Sequence, residues 1–195
     1  MGSADRTIIV KERNCMNLKQ GIETRRSIRS YTEQKVTAQQ IRQIVETAQM
    51  APSWKNSQTA RYYAVLDADL KERIAAEGTL QFSKNMNNIR NAAALVVLAS
   101  ENGVAGYNPD GSFTTGLGTH WQSFDAGIAC QTFCLAAHDA GLGTLIMGIF
   151  APEKVAELVG LPQGQSVSAL IAVGYAAGEP QAPPRKPLDE VLTVL

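Results

Sequence analysis

Helical and extended patterns alternate along the sequence as α, α, β, α, β, α, β, α, β. This order predicts a three-layer α+β or α/β domain with about four strands between helices. Two observations carry the prediction. Residues 92–99 (AAALVVLA), 144–150 (TLIMGIF) and 166–176 (SVSALIAVGYA) are apolar runs with little alternation, as strands covered on both faces must be. The longest helical stretch, residues 121–140, is apolar on nearly every side (Phe124, Ile128, Cys130, Phe133, Cys134, Leu135), and a helix apolar all round is buried all round. That requires a central position, a dimer interface, or both. The Gly-x-Gly-x-x-Gly turn of a Rossmann dinucleotide site does not follow a first strand.

The remaining elements follow in chain order. Residues 1–16 read as an N-terminal arm, and 17–195 as one domain. Residues 17–25 form a short amphipathic helix. Thr37-Ala-Gln-Gln40 is a capping box, and it opens a helix with Ile41, Ile44, Val45 and Ala48 on one face until Ala51-Pro52 stops it. After the polar loop 52–58, residues 61–66 (RYYAVL) are rich in strand formers. Residues 68–77 predict a helix with Lys71, Glu72 and Arg73 exposed. Residues 79–91 are weakly helical and fit a lid. Residues 101–119 carry Gly103, Gly106, Gly111, Gly116 and Gly118, and an irregular stretch of that length is more often functional or disordered than a simple connection. Gly141-Leu-Gly143 ends the long helix. Pro152 starts a short one at its first position, with Gly160 as its cap. Residues 178–187 are a Pro-rich turn, and the apolar tail 188–195 is suited to docking on another surface.

Composition bounds the function. A chain of 195 residues fits one domain that buries roughly two thirds of its surface. Charged residues are 18%, below the ~25% of an average domain, which points to surface covered by a subunit partner. The 18 basic and 18 acidic residues cancel, so no overall field attracts nucleic acid or an anionic membrane. Three cysteines (Cys15, Cys130, Cys134) do not make a disulfide framework and fit a reducing compartment. Cys130 and Cys134, four apart on the long helix, read as core residues. His120 and His138 lack a ligand cluster, so no metal is expected. No apolar run follows the N-terminal charges, and no stretch is long and apolar enough to span a membrane. The expectation is a cytoplasmic protein.

Against this background three polar segments stand out. Arg25-Arg26-Ser27-Ile28-Arg29 crowds three guanidinium groups into five residues, and arginine's planar fork matches phosphate or carboxylate oxygens. Taken alone, such a run also describes an ordinary solvated basic face. Residues 52–58 (PSWKNSQ) offer hydroxyl and amide groups suited to the neutral edges of a ligand, and 183–186 (PPRK) add further cations. Gly141-Leu-Gly143 contributes backbone N–H groups at a close-approach position. A phosphate clamp, amides and a glycine turn together describe a site for a phosphorylated heterocycle.

The order RRSIRSY, APSWKNSQ, SFDAGIACQTFCLAAHDAGLGTLIMG and a closing RKPLDEV resembles the FMN-dependent nitroreductase family over residues 17–195. The resemblance implies an α+β three-layer sandwich around a mostly antiparallel sheet of four to five strands. It also implies a domain-exchanged homodimer with FMN at the interface, reduced by NADH or NADPH. On that resemblance Arg25 and Ser27 meet the phosphate and ribityl chain, Arg26 lies close by, and Arg29 sits near the pyrimidine edge. Pro52, Ser53 and Asn56 reach FMN from the other subunit. Gln58 is nearby, although Gln58-Thr59-Ala60 stands where many members have Gln-Pro-Trp. Leu142 and Gly143 present backbone to the ring, while Arg185 and Lys186 supply a C-terminal phosphate contact. Asn85 and Asn88 fall where some members place polar groups against the ring.

The resemblance further implies that no side chain is an essential catalyst: a hydride passes from the nicotinamide through flavin N5 to an electron-poor acceptor (nitroaromatic, quinone or enone) in a ping-pong cycle. A cation such as Arg29 would favour the reduced, anionic ring. Phe82, Tyr107, Phe113 and Trp121 are candidates for the acceptor-pocket walls, although Trp121 and Phe124 also read as core. Two alternatives stay open. One is a specialised flavin enzyme of the same fold (dehalogenase, dehydrogenase or flavin-fragmenting), and the other a flavin-binding protein without turnover.

Overall fold

Four strands, β1 (Ala60–Val65), β2 (Ala94–Glu101), β3 (Gly143–Met147) and β4 (Gln165–Gly174), form one sheet in the order β1-β2-β4-β3, with every neighbouring pair antiparallel. Six helices accompany them: α1 (Leu18–Thr24), α2 (Ala38–Ala48), α3 (Ala68–Glu77), α4 (Ser83–Asn91), α5 (His120–Asp139) and α6 (Pro152–Val159). The computed structural model describes residues 17–195; the expected arm over 1–16, with Cys15, lies outside the described residues.

Both sheet faces are covered, which is why the strand sequences do not alternate. Ala94, Val96 and Leu98 of β2, with Ile171 and Val173 of β4, pack beneath α2 and α5. Leu95 and Val97, with Leu170 and Ala172, pack on the opposite side with Ile74, Ile89 and Val155 of α3, α4 and α6. The three-layer expectation is met, and the sheet is antiparallel throughout. Cys130 and Cys134 lie in the first of these cores.

Local signals set the helix starts. The Thr37 hydroxyl accepts from Gln40 N at 3.2 Å, and the Gln40 side chain accepts from Thr37 N at 2.9 Å, which closes the capping box. The Asp67 carboxylate accepts from Leu70 N at 2.7 Å and caps α3. Pro152 opens α6 and Gly160 closes it.

Three stretches take definite form. The helical pattern of 79–91 is borne out as α4, whose Ile89 is fully buried against the core and whose Asn85 Nδ2 donates to Ile149 O at 2.9 Å, so this segment packs into the core rather than covering a site. Residues 101–119 are an ordered loop, with Tyr107 bridged to Phe113 and Asp110 accepting from Ser112 N at 2.9 Å. α5 is not buried all round: Asp125, Ala126, Ala129, Phe133 and Ala137 are covered, while Phe124 is 60% exposed and Gly127 and Gln131 face outward.

Residues 27–32 cross the end of the sheet from β3 to the residues just after β4. Ser27 forms a parallel bridge with Thr144, Ile28 N donates to Thr144 O at 2.9 Å, and Tyr31 pairs antiparallel with Ala176. The phenol of Tyr31 donates to Ile28 O at 2.7 Å. Gly143 makes this approach possible, because a Cβ there would stand 2.5 Å from Ile28 Cγ1 and 2.9 Å from its Cβ. The obstructing atoms belong to a buried β-branched side chain with little freedom to move. Gly143→Ala is therefore expected to destabilise the protein by about 1–3 kcal/mol. A lowered midpoint in urea denaturation, with an unchanged slope, would show it.

Candidate functional site

The docking of residues 27–32 beside β3 carries the preceding residues to the C-terminal end of α5. There, α1 ends in Arg25 and Arg26, and α5 ends in His138 before the turn at Gly141. These groups enclose a cavity of about 480 Å3 together with Thr24, Ile28, Leu142, Gly143 and Thr144, and residues Gly178–Ala182 of the Pro-rich segment close its rim. Gly141 holds a left-handed φ of 77° that turns the chain from α5 into β3. A second cavity of about 330 Å3 adjoins it, sharing Ile28, Gly178, Glu179 and Pro180, and adds Ser27, Arg29 and Ser30. The cluster 25–29 is thus spread along one continuous groove.

The donors there are not equivalent. Arg26 Nη1 donates to Glu23 O at 2.7 Å and Arg25 O at 2.9 Å, so its guanidinium ties down the carbonyls at the end of α1. Arg29 Nη1 donates weakly to Ser27 O at 3.4 Å. Arg25 is half-buried, and its guanidinium has no hydrogen-bond or ion-pair partner among the described residues. His138 Nε2 lies 2.9 Å from Thr24 Oγ1. Burial, and then the Arg25 charge, holds the His138 imidazole below its ordinary pKa, with Asp139 opposing. In the core under α5, Cys130 keeps its proton: donation to Cys134 and burial both push its thiol up. Among the described residues, Glu179 is the only carboxylate on the walls of either cavity, so the groove suits an anion.

The loop 52–58 lies elsewhere in the chain. Pro52, Ser53 and Gln58 line a separate cavity of about 290 Å3 with Thr59, Arg61, Tyr62 and Asp125, and it shares no residue with the groove. Lys55, Asn56 and Gln58 all have positive φ (47°, 54° and 50°). The left-handed conformation costs an L-residue roughly 1–2 kcal/mol. Three such residues within four positions make a loop that other contacts must hold in shape. Ser53 Oγ accepts from Gln58 N at 2.9 Å, and Asp125 Oδ2 accepts from Trp54 N at 2.8 Å. Asn56 is exposed. The Trp54 ring packs on Trp121 at 4.6 Å between centroids, and Trp121 on Phe124 at 5.5 Å.

The other expected residues are dispersed. Arg185 and Lys186 are exposed, and Lys186 pairs with Glu190 at 3.5 Å; neither lines the groove, whose rim is formed by the residues just before them. Of the acceptor-pocket candidates, Trp121 meets Trp54, Tyr107 and Phe113 pack on each other at 5.0 Å, and Phe82 is half-buried at the start of α4. None of the four lines the groove at Arg25 or the cavity at the 52–58 loop, and Trp121 lies beside the Tyr107–Phe113 loop, donating to Thr115 Oγ1 at 2.8 Å. Asn85 and Asn88 are buried in α4. Sequence reasoning missed Thr24 and His138, which the α1–α5 crossing brings together. It also missed Asp125, for which the one available signal was a lone carboxylate in an apolar helix.

The comparisons with known proteins agree with this geometry. A profile of the nitroreductase family matches residues 22–175. Among curated relatives, the FMN reductase (NAD(P)H) of Bacillus subtilis is 30% identical over 179 residues, covering 85% of this chain and 68% of that protein. An iodotyrosine deiodinase of Nematostella vectensis is 25% identical over 194 residues, covering 87% and 72%. Among solved structures, a putative nitroreductase of Exiguobacterium sibiricum in complex with FMN superposes with a TM-score of 0.80 at 20% identity, covering 92% of this chain and 98% of that one. The sheet and its two helical layers are those of the nitroreductase fold. The chain belongs to the nitroreductase family.

His138 yields a pH prediction. Its folded-state pKa is depressed, so the folded state binds fewer protons than the unfolded chain as pH falls through the ordinary imidazole range. The stability of the neutral form is present above that range and is lost as pH drops towards the depressed value. His138→Gln is expected to flatten the decline of the urea midpoint between about pH 7 and pH 5.

Proposed function

We propose that this protein is an FMN-dependent oxidoreductase that draws a hydride from NADH or NADPH and delivers it to an electron-poor acceptor (a nitroaromatic, quinone or enone) in a ping-pong cycle. The observation that carries the reading is Arg25, a half-buried guanidinium without a partner among the described residues, set in one cavity with the Gly141–Gly143 turn. An unmatched buried cation is costly, and a phosphate oxygen pair is the geometry its fork satisfies.

The groove fits the cofactor on its own chemistry. Its cationic end, Arg25 with Thr24 and Arg26 beside it, matches a phosphate. The Ser27 and Arg29 stretch matches polar ribityl and ring edges, and Leu142 and Gly143 offer backbone on the groove wall while the Leu142 side chain is buried. Arg185 and Lys186, just beyond the rim, would add to the phosphate's positive surroundings once the tail is seated. Bound there, FMN supplies a ring able to take a hydride from a nicotinamide and pass its electrons on. The chain's own part is to bind, orient and exclude water, with Arg29 favouring negative charge at the pyrimidine end.

A second copy of the chain supports the same reading. Pro52, Ser53, Asn56 and Gln58 lie on a cavity or surface separate from the groove, so the site is assembled from two copies. The apolar surface is there for it. Phe124, Gly127 and Gln131 of α5 are open, and a groove of about 430 Å3 runs from Gly127 and Gln131 to Leu98 and Ile146. The exposed tail carries Leu188, Val191, Leu192 and Val194. Large apolar side chains left this exposed suit an interaction face. Trp54, Trp121 and Phe124 stand together on this side, and with Tyr107, Phe113 and Phe82 they are the walls proposed for the acceptor.

The similarity to an iodotyrosine deiodinase favours a second reading, a reductive dehalogenase using the same flavin site. Anaerobic stopped-flow mixing separates the two. Bleaching of the flavin by NADH or NADPH, then reoxidation by a nitroaromatic or quinone, is the expected result. Reoxidation by a halogenated phenol alone would favour the second reading, and no bleaching by either nicotinamide would contradict both. Arg25→Ala is expected to weaken FMN binding by about 1.5–3 kcal/mol, the scale of a charge-assisted hydrogen bond. Fluorescence titration of the apoprotein would measure it.

A further inference from the structure

We infer that Asp125 is the positioning residue that holds loop 52–58 in its flavin-binding shape, by accepting the Trp54 amide from inside α5. This inference rests on the reading of the site as an FMN site that the loop completes. Asp125 is 5% exposed, and its Oδ2 accepts from Trp54 N at 2.8 Å, across 71 residues of sequence. No cation pairs with it among the described residues; Arg61, on the same cavity, is engaged with Glu101 at 2.5 Å. A carboxylate buried without a counter-ion is unfavourable unless its hydrogen bonds repay the desolvation. Burial does raise the Asp125 carboxyl, and the Trp54 N–H acts against that rise.

What the bond holds is a loop whose own bonds, Gln58 N to Ser53 Oγ, Asn56 N to Ser53 O and Ser57 N to Trp54 O, are all local. Lys55, Asn56 and Gln58 are left-handed, and Trp54 Nε1, Ser57 Oγ and Thr59 Oγ1 are buried without partners among the described residues. Backbone in that state persists only where the surroundings over-determine it. The Asp125 carboxylate and the Trp54–Trp121 ring contact, both provided by α5, are the long-range ties from the loop. Because Trp54 directly follows Ser53 and precedes Asn56, fixing its amide fixes both side chains proposed to reach the flavin. Asp125 does not touch the flavin in this account; it acts through the loop.

The test compares wild type, Asp125→Ala, Asp125→Leu and Asp125→Asn as FMN-free apoproteins. Hydrogen exchange over residues 53–58 and titrations with FMN and with riboflavin are read side by side. Both Asp125→Ala and the volume-conserving Asp125→Leu should accelerate exchange in the loop. Both should weaken FMN and riboflavin by the same factor, about 10- to 150-fold, the loss of one hydrogen bond to a charged group. The phosphate end is untouched, so the ratio of the two affinities stays at its wild-type value. Asp125→Asn keeps an acceptor oxygen for the Trp54 amide and should restore most of the affinity. Wild-type affinity for both flavins in Asp125→Ala or Asp125→Leu overturns the inference, as does an Asp125→Asn variant as impaired as Asp125→Ala. If wild type binds neither flavin, the FMN reading falls and takes the inference with it. Faster loop exchange in the variants would still identify the tether as structural in that case.

Discussion

The contact on which the rest depends is the seating of Ile28 over Gly143, closed by the hydrogen bond from Ile28 N to Thr144 O. It joins the chain's first described helix to the far edge of the sheet and lets residues 27–32 run beside β3. Everything cationic in the groove is positioned by that seam: Arg25 and Arg26 immediately before it, Ser27 and Arg29 on either side of it. The same close approach narrows the space between the basic segment and the start of β3 to one that glycine alone fits. A binding groove lined by backbone on one wall and guanidinium on the other is the direct result.

The seam also explains how the labour is divided. Arg26 ties down the end of α1, so Arg25 is left available in the half-buried groove. α5 serves both regions. Its C-terminal turn brings His138 to the groove, and its N-terminal turns bring Asp125 and Trp121 to the loop 52–58. Two regions that a single chain keeps apart are thus built on one rigid 20-residue helix. In a two-copy assembly, movement of α5 would shift the phosphate end of one site together with the loop proposed for the other. This is a physical reason for an otherwise apolar helix to carry polar side chains near each end.

Much of this was legible in the sequence, for identifiable reasons. The double-sided core is visible in AAALVVLA, because a strand covered on both faces cannot alternate, whereas TLIMGIF is covered only in part, with Ile146 and Ile149 exposed. The capping box at Thr37 and Gln40 marks the start of α2, and Gly141-Leu-Gly143 marks the end of α5 as a close approach. The basic cluster and the glycine turn do meet in one cavity, though 112 or more residues separate them. What was not legible is chiefly tertiary. Residues 79–91 read as a lid because their asparagines weaken the helical pattern, yet Asn85 and Asn88 are buried, and Asn85 satisfies a loop carbonyl. The open face of α5 is invisible to periodicity, since Gly127 and Phe124 look as buried as Ala126 and Phe133. Asp125 could be seen but not interpreted without Trp54 beside it. Tyr107, Phe113 and Trp121 are brought together only by the folding of the 101–119 loop, which no periodicity reveals.

The central claim is that the groove at Arg25 is a phosphate site for a flavin nucleotide, and the most direct measurement is a parallel titration of the apoprotein with FMN and riboflavin. The two ligands differ only in the phosphate. The account predicts that FMN binds about 10- to 150-fold tighter, as one charge-assisted contact of roughly 1.5–3 kcal/mol requires. It also predicts that Arg25→Ala removes most of that difference while leaving riboflavin affinity near its wild-type value. Equal affinity of the wild-type protein for FMN and riboflavin would contradict it.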